Sequence, residues 1–144
     1  IMEISGTVSS RTNGRRGAID APSESQILEL NPSRKSKILS CTNWVEVAEG
    51  TLNLKVLERD FEQLTAPMAI FIEKGIDVVY PTGWSHIPKM REEYWYFKAT
   101  LNNEAVLVRR AKIPHSKSLI EVFAENKLRD KLGLKDNDLI LLTF

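Results

Sequence analysis

The chain has 144 residues, of which 42% are hydrophobic and 27% charged, and its net charge is +1. Those values fit one soluble globular domain spanning residues 1–144. They give no global electrostatic case for nucleic-acid or membrane binding, so any basic site must be local. A lone cysteine, Cys41, excludes an intrachain disulfide and a cysteine-rich metal site, and two histidines, His86 and His115, argue against a histidine-based one. The first residues, Ile1-Met2-Glu3-Ile4-Ser5-Gly6, lack the basic and apolar regions of a leader, and nothing approaches the ~18 apolar residues of a membrane span. A reduced, cytoplasmic setting is the simplest expectation.

In chain order, Met2 to Ser9 alternates apolar and polar residues and predicts a first strand. Arg11 to Gly17 is a basic, turn-rich loop, and Pro22 to Lys37 predicts a long irregular excursion around Ile27, Leu28 and Leu30. Strand signals follow at Lys37–Ser40 and Trp44–Val47. Beyond Gly50, Leu52, Leu54 and Val56 alternate with Thr51, Asn53 and Lys55, so a strand there carries Thr51 and Asn53 on one face. Asp60 to Gln63 predicts a helical turn, and Met68–Ile72 and Asp77–Tyr80 predict strands. Pro81 to Arg91 predicts a loop. Tyr94–Thr100 and Glu104–Arg110, joined by Leu101-Asn102-Asn103, predict a hairpin.

Ile120–Ala124 is a short apolar strand interrupted by Glu121. Asn126 is a candidate cap for a helix to Leu132, with Gly133 just past its end and Leu128 and Leu132 on one face. Asp136-Asn137-Asp138 predicts a turn. Leu139 to Phe144 is a last strand, apolar on both faces, as inside a closed barrel. Many short strands with one or two short helices predict a mostly β protein built as a barrel.

Four segments in order carry a resemblance. These are Gly6-Thr7-Val8-Ser9, Gly50-Thr51-Leu52-Asn53, Leu119-Ile120-Glu121-Val122-Phe123-Ala124, and Lys127 through Asp138 with its Leu-Arg-Asp-Lys-Leu-Gly-Leu-Lys-Asp-Asn-Asp run. Together they resemble the archaeal-type CTP-dependent riboflavin kinases. The resemblance implies a six-stranded cradle-loop (RIFT-type) barrel and phosphoryl transfer from CTP to the 5′-hydroxyl of riboflavin, giving FMN. It implies Mg²⁺ held by Thr51 and Asn53, two hard oxygens of the kind Mg²⁺ takes alongside phosphate and water. It makes Asn53 and Glu121 the catalytic candidates, with Glu121 at the flavin or its ribityl hydroxyl. The nucleotide falls to Ser10, Arg11, Thr12, Asn13, Gly14 and Arg15 on one side and to Asn126, Lys127, Leu128 and Arg129 on the other.

The sequence also departs from that pattern. The first loop keeps only Gly14 and Gly17, with Arg11, Arg15 and Arg16 in place of glycines. Ile113 stands eight residues before Glu121, where the family has a flavin-contacting threonine. These departures leave a non-catalytic nucleotide- or flavin-binding module as the alternative. The Lys127–Leu142 stretch is also similar to AbrB-type DNA-binding regulators, a third reading in which Arg11, Arg15 and Arg16 bind DNA. No nucleophile-elbow motif accompanies His115 and its neighbouring serines. Trp84, Tyr94, Trp95 and Tyr96 can stack a flavin or a base, or fill a core.

Overall fold

The computed structural model describes residues 2–9, 23–74, 78–81, 93–114 and 116–144. The basic loop at Ser10–Gly17, the Asp77 end of an expected strand, most of Pro81–Arg91 with Trp84 and His86, and His115 lie outside the described residues. The strands are β1 (Glu3–Val8), β2 (Leu52–Val56), β3 (Phe71–Lys74), β4 (Glu93–Leu101), β5 (Glu104–Ala111), β6 (Leu119–Phe123) and β7 (Leu139–Thr143). The helices are α1 (Glu24–Leu30), α2 (Pro32–Thr42), α3 (Glu58–Gln63) and α4 (Leu128–Leu132), with a 3₁₀ turn at Ala66–Met68.

The described strands run in the order β3-β4-β5-β6-β2-β1-β7, all antiparallel, and Thr100 of β4 pairs with Thr143 of β7 to close the ring. This is a closed six-stranded barrel, as expected, with β3 added outside it on β4. Alternation explains its filling. Ile4 and Val8 of β1, Leu52, Leu54 and Val56 of β2, Phe97, Ala99 and Leu101 of β4, Val106 and Val108 of β5, Ile120 and Val122 of β6, and Ile140 and Leu142 of β7 form one apolar cluster. Gly6 allows β1 and β2 to close on each other, since a Cβ there would lie 3.1 Å from Val56 Cγ1 and 3.2 Å from the Lys55 carbonyl oxygen. Asn102 and Asn103, with φ of 47° and 65°, make the tight β4–β5 connection whose left-handed residues match strand twist. Arg110 closes one end of the barrel, donating to the Phe61 and Leu64 carbonyls at the end of α3 while its guanidinium covers the Phe61 and Trp95 rings.

The structure corrects several expectations. Four short helices are present among the described residues, not one or two. The stretch Pro22–Lys37, read as irregular, contributes two of them from Ser23 onward, and Lys37–Ser40, read as a strand, lies inside α2. Ser23 and Gln26 form a reciprocal capping box at the start of α1, and Pro32 takes the first turn of α2, where its missing N–H costs nothing. Trp44–Val47 is not a strand, and neither is Val78–Tyr80. The latter is instead tied through the Val79 backbone to the Asn31 side chain between α1 and α2, with bonds of 2.8 and 2.9 Å. The strand expected over Met68–Ile72 begins only at Phe71. The last strand is buried on one face alone, for Leu139 and Leu141 are exposed.

Candidate functional site

The outer face of the barrel carries a second layer. One row of paired residues crosses it from strand to strand: Phe71 opposes Tyr96, Tyr96 opposes Arg109, Arg109 opposes Glu121, and Glu121 opposes Asn53. Phe71 and Tyr96 stack with ring centroids 4.1 Å apart. Helices α1 and α2 cover this half of the row, with Leu28 and Ile38 packed beside Tyr96, Leu107 and Phe123.

Beneath the helices lies a network of ions. Arg109 Nη2 donates to Glu24 of α1 at 2.7 Å and to both oxygens of Glu121 at 2.9 and 2.8 Å, and Arg109 Nε adds a 3.2 Å bond to Glu121. Arg34 of α2 joins Glu24 at 3.5 Å and Glu73 at 3.0 Å, and the Tyr96 hydroxyl donates to Glu73 at 2.9 Å. Burial alone would push the Arg109 guanidinium down, but Glu121 and Glu24 outweigh it and hold the pKa well above its ordinary value. Its Nη1 has no hydrogen-bond partner among the described residues. The cation lies against the Phe123 and Tyr94 rings at 4.8 and 4.9 Å, which offsets part of that loss.

At its other end the row opens into a cleft of about 380 Å³. Three segments build it: the approach to β2 from Ala48 to Asn53, the end of β6 with Asn126–Arg129 beyond it, and Ser23 at the cap of α1. Gly50, at φ 73°, turns the chain into β2 through a conformation that penalises a side chain. Asn53 is 7% exposed, and its Oδ1 is buried with no hydrogen-bond partner among the described residues. A buried carbonyl oxygen is costly to leave unpaired, so this one calls for a partner such as a water, an ion or a bound group. The Thr51 hydroxyl is 3.5 Å from Glu121 Oε2, at the long limit of a hydrogen bond; donating in that direction leaves its lone pairs turned away from Glu121. Among the described residues there is no cluster of three or more His, Cys, Asp or Glu for a metal. The donors on offer are instead a hydroxyl and an amide oxygen, a set that suits a hard cation sharing its sphere with phosphate and water.

Thr51, Asn53 and Asn126–Arg129 therefore converge on one cleft, whereas Glu121 stands beside it in contact with Thr51. Asn126 does not cap the following helix. Lys127 occupies that position, and no side chain caps α4. Gly133 ends α4 at φ 65°. Arg129 is already committed, donating to Asp136 at 2.8 Å and to the Ser9 carbonyl at 3.0 Å. Ser9 N–H in turn donates to the Asn53 carbonyl at 2.8 Å, so the last described residue before the basic loop is rooted at the cleft. The loop candidates Ser10, Arg11, Thr12, Asn13, Gly14 and Arg15 are outside the described residues. Glu24 and Arg109 were not singled out from sequence. The available signal was the pair Arg109-Arg110 within the otherwise apolar run Val106-Leu107-Val108, since charges are rarely buried without partners.

Residues 44–144 match the model of the family named CTP-dep_RFKase, described as "Domain of unknown function DUF120". The chain belongs to this family. The matched region takes in β2 to β7 and the Thr51–Asn53 and Asn126–Arg129 sides of the cleft, while β1, α1 and α2, with Ser23 at the cleft, precede it. A riboflavin kinase of Methanobrevibacter smithii is 43% identical over 51 residues, a match covering 34% of this chain and 41% of that protein. The match thus spans less than half the length of that relative. No helix among the described residues is long and apolar enough to cross a membrane.

Proposed function

We propose that this chain is a CTP-dependent riboflavin kinase: the 5′-hydroxyl oxygen of riboflavin attacks the γ-phosphorus of CTP, the bond from that phosphorus to the β,γ-bridging oxygen breaks, the hydroxyl proton is released to water, and CDP leaves as FMN forms. Family membership and the name of the M. smithii relative support the reaction class. The observation that carries the reading for this molecule is the buried Asn53 Oδ1, which has no partner among the described residues and lies in the same cleft as Thr51.

Thr51 Oγ1 and Asn53 Oδ1 are the groups that would hold Mg²⁺, with no further protein carboxylate required. Bound there, Mg²⁺ supplies charge neutralisation for the phosphate oxygens. Lys127, at the same cleft, adds a cation for the polyphosphate. Arg129 braces the root of the basic loop through Ser9 rather than reaching for phosphate itself. Both oxygens of Glu121 already accept hydrogen bonds from Arg109, so its remaining lone pairs suit orienting the ribityl hydroxyl better than removing its proton.

The test is FMN formation from riboflavin with CTP and Mg²⁺, resolved by chromatography and compared with ATP, GTP and UTP as donors. Asn53→Ala is expected to lower turnover at least about 100-fold, the scale of removing a group that positions transferring charge. Unchanged turnover in that variant would contradict the assignment. One observation favours a second reading, a nucleotide- or flavin-binding module without turnover: Ile113, at the family's threonine position, is 74% exposed and offers no hydrogen bond. The same assay decides, since that reading predicts CTP or riboflavin binding and no FMN.

A further inference from the structure

We infer that Glu24, on the helix pair that precedes the family-matched region, is a positioning residue that sets the geometry of the cleft through Arg109 and Glu121. The chain of contacts is continuous. Glu24 is 7% exposed and its carboxylate takes a 2.7 Å bond from Arg109 Nη2, the same nitrogen that reaches both oxygens of Glu121. Glu121 Oε2 faces the Thr51 hydroxyl, and Glu121 is the cross-strand partner of Asn53. One guanidinium nitrogen therefore answers to two carboxylates, one from helix α1 and one from the barrel wall.

Chemistry makes the arrangement directional. Arg109 is 5% exposed, and among the described residues the carboxylates that reach it are those of Glu24 and Glu121. Without Glu24 the full charge of Arg109 falls on Glu121, the more exposed partner at 29% exposure, which is then drawn toward Arg109 and away from its long 3.5 Å contact with Thr51. Arg34 cannot substitute for Glu24, because it is a second cation, and it shares Glu24 with Arg109 while holding Glu73 on its other side. Helix α1 also starts at the cleft, where Ser23 is both its cap and part of the cleft lining. The capping box thus fixes the axial position of Glu24 relative to the site it serves.

The relay itself stands on these contacts; its effect on nucleotide binding rests on the proposed function. The experiment separates the two by reading the ligand-free protein first. The Thr51 methyl and Asn53 carboxamide resonances are compared among wild type, Glu24→Gln, Glu121→Gln and the double variant. The expected result is that E24Q moves both resonances in the wild-type background and leaves them unmoved in the E121Q background. Shifts of equal size in the two backgrounds, or none in either, overturn the relay, because a general loosening of α1 would act regardless of residue 121. Glu24→Asp, which keeps the charge and withdraws it by one methylene, serves the same comparison if E24Q does not fold, with the same outcomes deciding.

Calorimetric titration of the wild type and E24Q with CTP and Mg²⁺ then measures the consequence. About 10-fold weaker binding in E24Q, with the loss absent in the E121Q background, is the expected result, the scale found for residues that orient metal-site donors. Equal affinity in wild type and E24Q overturns the functional half of the inference. A wild type that binds no nucleotide at all removes the proposed function, and the functional half with it, while the resonances still decide the relay.

Discussion

The interior of the barrel and its outer face under α1 and α2 are made by the same strands, yet they are held together in different ways. Inside, Leu54, Phe97, Val108 and Ile120 meet as interchangeable apolar volume. Outside, on alternate residues of the same β4, β5 and β6, Tyr96, Arg109 and Glu121 meet as specific partners of fixed charge and direction. Apolar packing is graded and forgiving of modest volume changes. A buried ion network fails abruptly when one member is lost, because the others remain charged and out of water. The candidate cleft opens from the second kind of surface, at the end of the row that closes on Asn53.

The sharpest way to break this contrast is Arg109→Ala. It leaves Glu24 buried without its nearest cation and Glu121 without the only ion-pair partner it has among the described residues. A loss of about 3–5 kcal/mol is expected from chemical denaturation, the scale for stripping one partner from a buried pair. Because Arg34 stays beside Glu24 and Glu73, the loss is expected to fall mainly on the docking of α1 and α2. Amide exchange in residues 24–42 therefore rises more than in β2 and β6. Uniform acceleration across the barrel would show that the two layers are one cooperative unit.

Leu54→Ala probes the other side. Leu54 is fully buried on β2 between β1 and β6, paired with Val8 and Ile120. Truncation removes apolar burial and leaves a cavity, at a cost of about 3 kcal/mol. Here exchange is expected to rise in β1, β2 and β6 together, with the helix pair following only as the whole barrel opens. A variant that released α1 and α2 first would invert the contrast between the layers.

The barrel was readable because its signals are local. Alternation placed β1 and β2, short apolar runs placed β6 and β7, and Asn102-Asn103 placed the β4–β5 turn in the short connection where left-handed residues are wanted. The helix pair was misread for a physical reason. Ser, Pro and Asn between Pro22 and Lys37 looked like loop punctuation, although Ser23 with Gln26 and Pro32 at a first turn are start signals rather than breaks. Ile38-Leu39 then looked like strand, because a short apolar pair carries no period of its own. At the site, Thr51, Asn53 and Asn126–Arg129 came from contiguous motifs and do meet in one cleft. Glu24 and Arg109 did not, because they are 85 residues apart and nothing near either one announces the other. Buried charge pairing is a tertiary fact, visible in sequence only as an arginine where an apolar strand residue was due.

Tyr96 gives the finest probe of the outer layer, because it belongs to the same strand as Phe97 and differs from it by one oxygen. It is fully buried, and burial raises its phenol well above the ordinary value despite the opposing pull of Arg109 and Arg34. The unfolded chain releases this proton near pH ~10, whereas the native protein keeps it. Above that value the native state binds more protons than the unfolded state, so stability falls as pH rises, and below it this contribution is constant. Chemical denaturation between pH 9 and 11.5 should show stability dropping by up to about 1.4 kcal/mol per pH unit once the phenol of the unfolded chain ionises. Tyr96→Phe should lose about 1 kcal/mol at neutral pH with the 2.9 Å bond to Glu73, and should also remove the Tyr96 share of the alkaline slope. An unchanged slope would mean that the phenol reaches water in the native state, and that α1 and α2 seal the charged row less tightly than the barrel seals its own interior.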